Sequence, residues 1–346
     1  MKKGFSTSMI LFIVGLLAFG GVMTWAVQAQ AADYKKMTIR IAHVAPPTDP
    51  RHLGAMEMKK LLEGESKGNF KVDVYPAGQL GGGKDLIESA QGGALEIIVL
   101  PAAFLGGFQP LVTLLDIPYL FPVSQAAAVK VINGPAGDEL LNTLLKAKLV
   151  GLDLWDSAYK HFSANKPLRS LDDFKGLKFR VMPSPMLITM IKAFGGSAVS
   201  FPYQEVYTGL QTGAIDGQEA SLTSIYNMKF HEVQKFVTMT YHIKSEFIAM
   251  AGKTWFDGLN RDTQTLVRKA ARAGAAVNDA AKQEEENKSR GLIQKAGTQI
   301  IELKPTEIQN FKKATFGPCR DVFVKKNGDA GKKLLELFET EITKVK

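Results

Sequence analysis

The sequence predicts an α/β protein built as two units. Three observations carry that expectation. Strand and helix patterns alternate through the first half of the chain at βα spacing. The chain has 346 residues, more than a single core of ordinary size holds. A proline-free helical pattern runs from Asn260 to about Ala296.

The elements follow in order. Met37 to Val44 reads as a strand, Arg51 to Leu62 as a helix, Phe70 to Tyr75 as a strand, Lys84 to Gln91 as a helix and Leu95 to Leu100 as a strand. Two helices follow near Ser124 to Ile132 and Gly137 to Leu145, then a strand from Leu149 to Trp155. This alternation points to a largely parallel sheet. A second α/β unit begins near Ala158. In it, Lys178 to Val181 is a strand, Pro185 to Phe194 a helix, the surroundings of Val199 a short strand, and Tyr203 to Thr212 a helix stopped by Gly213. Phe247 to Ala251 reads as a strand returning to the first unit. Asn260 is a natural N-cap for the long pattern, whose small and apolar positions include Leu266, Ala270, Ala273 and Val277. Read from residues alone, that pattern is either one helix or two broken at Gly274 or Gly291; at ~1.5 Å per residue a single helix reaches ~50 Å. A strand near Gln299 to Leu303 and two closing helices complete the chain, with no internal repeat and no low-complexity segment.

The N-terminus has a secretory layout. Lys2 and Lys3 precede an uncharged stretch from Phe5 to Ala32, and Ala29-Gln30-Ala31 supplies small residues at both cleavage positions. Residues 1–31 are therefore expected to be a signal peptide and the mature protein periplasmic; a retained membrane anchor is the alternative, since the apolar run is long for a signal. No second stretch is apolar enough to span a membrane. The single cysteine, Cys319, excludes an internal disulfide and a cysteine-based metal cluster. The formal charge of +9 is scattered among acidic residues, without the basic stripe and interleaved aromatics of a nucleic-acid surface. A positive field favours encounter with anionic solutes.

Several motifs weaken on inspection. Gly78, Gly83 and Lys84 satisfy the P-loop spacing, but Asp85 stands where a Ser or Thr must bind Mg²⁺, and its carboxylate repels phosphate. The glycines read better as a tight turn into the helix at Lys84. Ser157-x-x-Lys160 and Ser163-Ala164-Asn165 echo penicillin-binding enzymes but lie too close together and lack a K-T-G. His43, His52, His161, His231 and His242 show no metal-ligand spacing, so no metal and no cofactor are expected.

Arg180 is the residue that stands out. It lies on the Lys178 to Val181 strand just before a helix N-terminus, which puts a permanent cation and unpaired backbone N–H groups in one crevice. Composition alone favours a solvated surface arginine there.

The order of GLKFRVMPSP and then FPYQEVYTGLQTGAIDGQE resembles the solute-binding proteins of TRAP (tripartite ATP-independent periplasmic) transporters. IRIAHVAPPTDPRHLGA, YPAGQLGGGKDLIESAQGGALEI, LLDIPYLF and YNMKFHEVQKFVTMTYHI extend the likeness over nearly the whole mature chain. The resemblance implies a two-lobed periplasmic binding-protein fold, with a cleft between the lobes and one long helix spanning both. Lobe I would comprise 32–157 plus 246–285 and lobe II 158–245 plus 286–346. It also implies a monomer without enzymatic activity or cofactor, which closes on a small organic carboxylate and delivers it to the transporter's membrane subunits. Arg180 matches the family arginine that grips the ligand carboxylate as a fork. Lys160 occupies the place of a second family arginine, Tyr203 that of a phenylalanine closing over the ligand, and Ala220 that of an asparagine that often bonds it. The last two departures, with Lys160, point away from sugar acids toward a smaller or more apolar carboxylate. Trp155, Phe104 and Tyr226 are further pocket candidates for which core packing is an equal reading. Glu219 is either a ligand neighbour or a cap for the helix at Ser221. The rival readings are a binding protein for an ATP-driven importer or a sensor, and a secreted hydrolase whose catalytic pair is not visible in the sequence.

Overall fold

The computed structural model describes residues 33–122 and 124–345; the signal peptide expected over 1–31 lies outside them. The strands are β1 (Met37–His43), β2 (Phe70–Tyr75), β3 (Ile97–Pro101), β4 (Leu149–Tyr159), β5 (His161–Ala164), β6 (Lys178–Val181), β7 (Ser197–Ser200), β8 (Gly217–Ala220), β9 (Phe236–Met239), β10 (Lys244–Gly252) and β11 (Gln299–Glu302). The helices are α1 (Pro50–Glu65), α2 (Gly83–Gln91), α3 (Gln125–Ile132), α4 (Pro135–Thr143), α5 (Pro185–Phe194), α6 (Val206–Gln211), α7 (Leu222–Asn227), α8 (Phe230–Val233), α9 (Lys253–Asp257), α10 (Arg261–Lys295) and α11 (Pro305–Lys344). Short 3₁₀ turns fill several connections, including Pro110–Asp116 and Tyr203–Glu205.

Two sheets form. One has the order β2-β1-β3-β10-β4, the other β11-β9-β5-β8-β6-β7. The βα alternation gives the parallel pairs β1–β2, β1–β3, β6–β7 and β6–β8. The sheets are less parallel than the alternation predicts, because β10 runs antiparallel to β3 and β4, and β5 antiparallel to β8 and β9. The cause is topological. The chain leaves the first sheet on β4, passes through Lys160 into β5 of the second, and comes back from β9 to β10. Outgoing and returning strands lie side by side and must oppose each other. At the two crossings Ala158 and Tyr241 take left-handed backbone angles, φ 62° and φ 48°, which disfavour residues with a Cβ.

The first sheet is buried on both faces. Ile39, Ile41, Phe247, Ala249 and Ala251 pack under α1 and α10, while Ala42, Ile98, Ile248 and Met250 face the opposite cluster. That is why FIAMA reads as a continuous apolar run rather than an alternating one. In the second sheet Phe162 and Phe179 join Phe174, Phe194 and Phe311 in a ring cluster, and Val237 and Met239 pack on the other side.

The long helix is continuous over 35 residues, with the Asn260 side chain accepting from the Thr263 N–H at 2.9 Å. It packs against α1 and β4 early, and against α7 and β11 late, so it reaches both sheets. Gly274 does not break it. A Cβ there would come within 2.7 Å of the Trp155 ring and 2.8 Å of the Gly54 carbonyl, so the glycine permits close approach of α1 and α10. The closing α11 is two helices meeting at Gly328, whose φ of 56° and ψ of −144° are not helical. Its first part packs on α5; beyond Gly328, Phe338 meets Phe121 edge-on ahead of α3. The 78–85 run forms the expected turn: Gly78 and Gly81 have φ of 70° and 113°, and the Asp85 carboxylate accepts the Gly82 N–H at 2.8 Å. The helix expected at Ser221 is α7; the short α8 and α9 escaped the sequence reading, since about one turn carries too little periodicity to show.

Candidate functional site

The pocket of interest lies where the crossing strands pass between the two sheets. Its empty space, open solvent at the mouth included, is ≈ 420 Å³. Arg51 and Phe104 reach it from the first-sheet side, Arg180, Tyr203, Glu219 and Ala220 from the second, and Ser157, Lys160, Ser245 and Phe247 from the crossing strands.

Arg180 is not a solvated arginine; it is 3% exposed. Its place on β6, between β7 and β8, carries it inward. Nε and Nη2 donate to the Phe201 carbonyl oxygen at 3.2 and 3.0 Å, and its guanidinium stands 5.8 Å from the Tyr203 ring centre. No carboxylate lies within ion-pair reach of it among the described residues. Burial lowers its pKa, opposed by Glu219 and Tyr203, yet an arginine starts so high that it stays a cation.

Lys160 differs. Its Nζ lies 2.9 Å from Glu219 Oε2 and 3.1 Å from Oε1, and both side chains are buried. Burial works to raise the Glu219 carboxyl, but Lys160 and His242 outweigh it and hold it below the usual range. His242, stacked on Phe162 at 4.4 Å, has its pKa lowered by burial, against the pull of Glu219. Glu219 is therefore the counter-ion of Lys160 and not a helix cap. The start of α7 is capped instead by Ser221, which accepts from the Ser224 N–H, and by Glu286 of α10, which accepts from Leu222 and Thr223 N–H at 3.2 and 2.9 Å.

Of the other expected residues, Tyr203, Ala220 and Phe104 line the pocket. The buried Tyr203 hydroxyl has no partner among the described residues. Trp155 is not among the lining residues. It packs instead in the cluster beneath α1 and α10, where its Nε1–H donates to the Ala271 carbonyl at 3.1 Å and its ring wedges between Gly54 and Gly274. Tyr226 also lies outside the pocket, stacked on His231 at 5.0 Å. Ser157 and Lys160 both line it, but the Lys160 amine is held by Glu219 and is no free base.

Two participants were missed. Arg51, 2% exposed, sits over the Phe247 ring at 3.9 Å, while its Nε and Nη2 donate to Asp49 at 3.0 and 3.3 Å. Asp49 caps α1 with Pro50 at its first position, so the Asp-Pro pair announced a helix start. Nothing local announced that the arginine after it turns inward. Asp116, at the end of the Pro110–Asp116 turn, is buried and does not line the pocket, but it feels the charges of Lys160 and Glu219 and the Ser184 hydroxyl. No group of three or more His, Cys, Asp or Glu side chains among the described residues could hold a metal. The buried Cys319 thiol is pushed up to about 12 by burial and the nearby Asp116, which leaves it unreactive.

Residues 41–326 match the family model DctP, described as bacterial extracellular solute-binding protein, family 7. The chain belongs to this family, the solute-binding proteins of TRAP transporters. It is 32% identical over 322 residues to the 2,3-diketo-L-gulonate-binding periplasmic protein of Escherichia coli, covering 92% of this chain and 94% of that protein. It is 33% identical over 300 residues to the C4-dicarboxylate-binding periplasmic protein of Rhodobacter capsulatus, covering 85% and 89%. The crystal structure of a TRAP periplasmic solute-binding protein from Desulfovibrio salexigens, with bound orotic acid, superposes with a TM-score of 0.87 at 32% identity, covering 90% of this chain and all of that one. The fold is thus the two-lobed α/β fold of periplasmic binding proteins, and the family binds solutes rather than transforming them, which sets the hydrolase reading aside.

Proposed function

We propose that this chain is exported to the periplasm, closes its lobes on a small organic carboxylate and delivers it to the membrane subunits of a TRAP transporter. One observation carries the ligand class: a buried arginine, Arg180, faces a small pocket with no carboxylate at ion-pair distance from it among the described residues. A buried guanidinium without a counter-ion is costly unless an anion arrives, and its fork geometry suits a carboxylate. The three relatives support the class, since their printed ligands are all carboxylates, and leave the species open, since those ligands differ. In this reading Arg180 anchors the carboxylate, Tyr203 covers it, Ala220 leaves room for an apolar body, and Lys160 with Glu219 forms the polar wall. Trp155 acts from behind, holding α1 and α10 together. We divide the lobes as 32–157 plus 246–285 and 158–245 plus 286–346, with the crossings near Ala158 and Tyr241 as hinges. The working form is a monomer.

Native mass spectrometry of protein recovered from the periplasm should find an organic acid bound and a mature N-terminus at Ala32 or within a few residues. Calorimetry with that acid should then show Arg180→Ala weaker by ~2–5 kcal/mol and Arg180→Lys recovering only part. Binding by Arg180→Ala within a factor of two of wild type would remove Arg180 as the anchor. Ligand should also shrink the radius of gyration in solution scattering and stabilise the fold by ~2.7 kcal/mol at a hundredfold excess over Kd. A neutral amide of the same acid that does both equally well would overturn the anion reading.

A further inference from the structure

Three cations line the pocket, but two of them are already neutralised. Arg51 is held by the Asp49 carboxylate through two hydrogen bonds of 3.0 and 3.3 Å. Lys160 is held by both oxygens of Glu219 at 2.9 and 3.1 Å. Arg180 alone among them bonds only a backbone carbonyl, that of Phe201. The remaining wall is apolar or neutral, with Phe104, Phe247, Met182 and four serines.

Resting on the reading of this pocket as an organic-anion site, we infer that its ligand carries a single carboxylate, and that Asp49 and Glu219, the counter-ions of Arg51 and Lys160, act as specificity residues that exclude a second one. A monocarboxylate completes the charge balance at Arg180. A second carboxylate in so small a pocket would face a cation that already has its counter-ion, and would lie close to that counter-ion. Like charges brought together out of water are strongly rejected, and building such repulsion against a competitor is an established route to specificity. Arg51 keeps unspent Nη1–H donors, which suit a neutral acceptor on the ligand body, a carbonyl or hydroxyl oxygen.

The test uses the purified protein and solute pairs that differ by one carboxylate: butyrate with succinate, pyruvate with oxaloacetate, and benzoate with isophthalate, each measured by calorimetry and thermal shift. The monocarboxylate of any pair that binds should be favoured by about tenfold or more, since each ~1.4 kcal/mol of repulsion is a factor of ten. Glu219→Gln, which frees Lys160, should shrink or invert that ratio, and it should do so for every binding pair. A wild-type protein that prefers the dicarboxylate sinks the inference and leaves the carboxylate reading standing; that measurement needs no variant. An unchanged ratio in a folded Glu219→Gln protein removes Glu219 as the discriminating group. If a neutral or cationic solute binds and no carboxylate does, the anion reading fails and the charge selection fails with it.

Discussion

Two buried charge clusters lie a few residues apart on the crossing strands, and they are built on opposite principles. In the pocket, Arg51 and Lys160 have counter-ions, and Arg180 has none at ion-pair distance among the described residues. Beside it, on β4 and β10, a single cation, Lys244, serves a crowd of acids. Its Nζ bonds Asp156 and, at 2.7 Å, Glu246. Asp156 also accepts from Gln125 and from the Ala158 N–H at 2.7 Å, while Asp279 accepts the Asp156 N–H at 2.9 Å. The Lys244–Asp156 bond ties the returning strand to the outgoing one, the Asp279 bond ties the outgoing strand to α10, and the Gln125 bond ties it to α3. Burial would lower the Lys244 amine, but Glu246 and Asp156 hold it above its ordinary range. Glu246 is raised well above its ordinary range by burial despite Lys244. The lesson is that burial and charge alone do not mark a binding site. The Lys244 cluster spends its cation on the protein, whereas the pocket leaves one unspent for a visitor.

The comparison breaks most visibly at Lys244. Lys244→Met should destabilise the fold by about 3–5 kcal/mol, because it strands two buried carboxyls. Chemical denaturation measures this, and adding Glu246→Gln should restore part of the loss. If Lys244→Met instead leaves stability intact and abolishes ligand binding, the two clusters have been assigned the wrong way round.

The pocket lysine and arginine should then separate along two axes. Removing Lys160 strands Glu219, so Lys160→Ala should cost more stability than Arg180→Ala, by ~1–3 kcal/mol, through a lost charged hydrogen bond. Arg180→Ala should cost more affinity. Parallel denaturation and calorimetry of the two variants give the crossed pattern, and a Lys160→Ala that is worse on affinity yet neutral on stability would reverse the roles.

The third expected effect is a pH dependence. Burial pushes the Asp116 carboxyl from 3.8 up to about 6, with Lys160 pulling it back and Glu219 adding to the rise. A carboxyl with a raised folded pKa favours the folded state most below its unfolded pKa. That contribution is lost as pH climbs from about 4 through about 6, roughly 3 kcal/mol in all at the upper bound. Asp116→Asn should therefore gain stability relative to wild type above pH 6 and lose that advantage near pH 4. A difference between the two proteins that stays flat across this range would show that Asp116 does not titrate there.

The local architecture was legible in the sequence because it rests on short-range patterns. β1 and its βα successors, the Asn260 cap, the turn at Gly78 and Gly81, and the β6 strand bearing Arg180 all follow from the period of apolar residues and from caps and glycines acting within a few positions. The same limits explain what was not legible. Short α8 and α9 have too few turns to register, and Gly274 looks like a breaker until the Trp155 ring is seen against it.

What the sequence determined by itself was the class of elements, their order, and that a permanent cation stands on β6. Tertiary structure decided which cations are free. Lys160 meets its counter-ion 59 residues away, Arg51 turns inward over a phenylalanine nearly two hundred residues further along, and Trp155 is taken out of the pocket by the contact of its ring with Gly54 and Gly274. The physical reason is that helix and strand propensities are local, whereas a charge's partner and its burial depend on what the whole fold brings within a few ångströms.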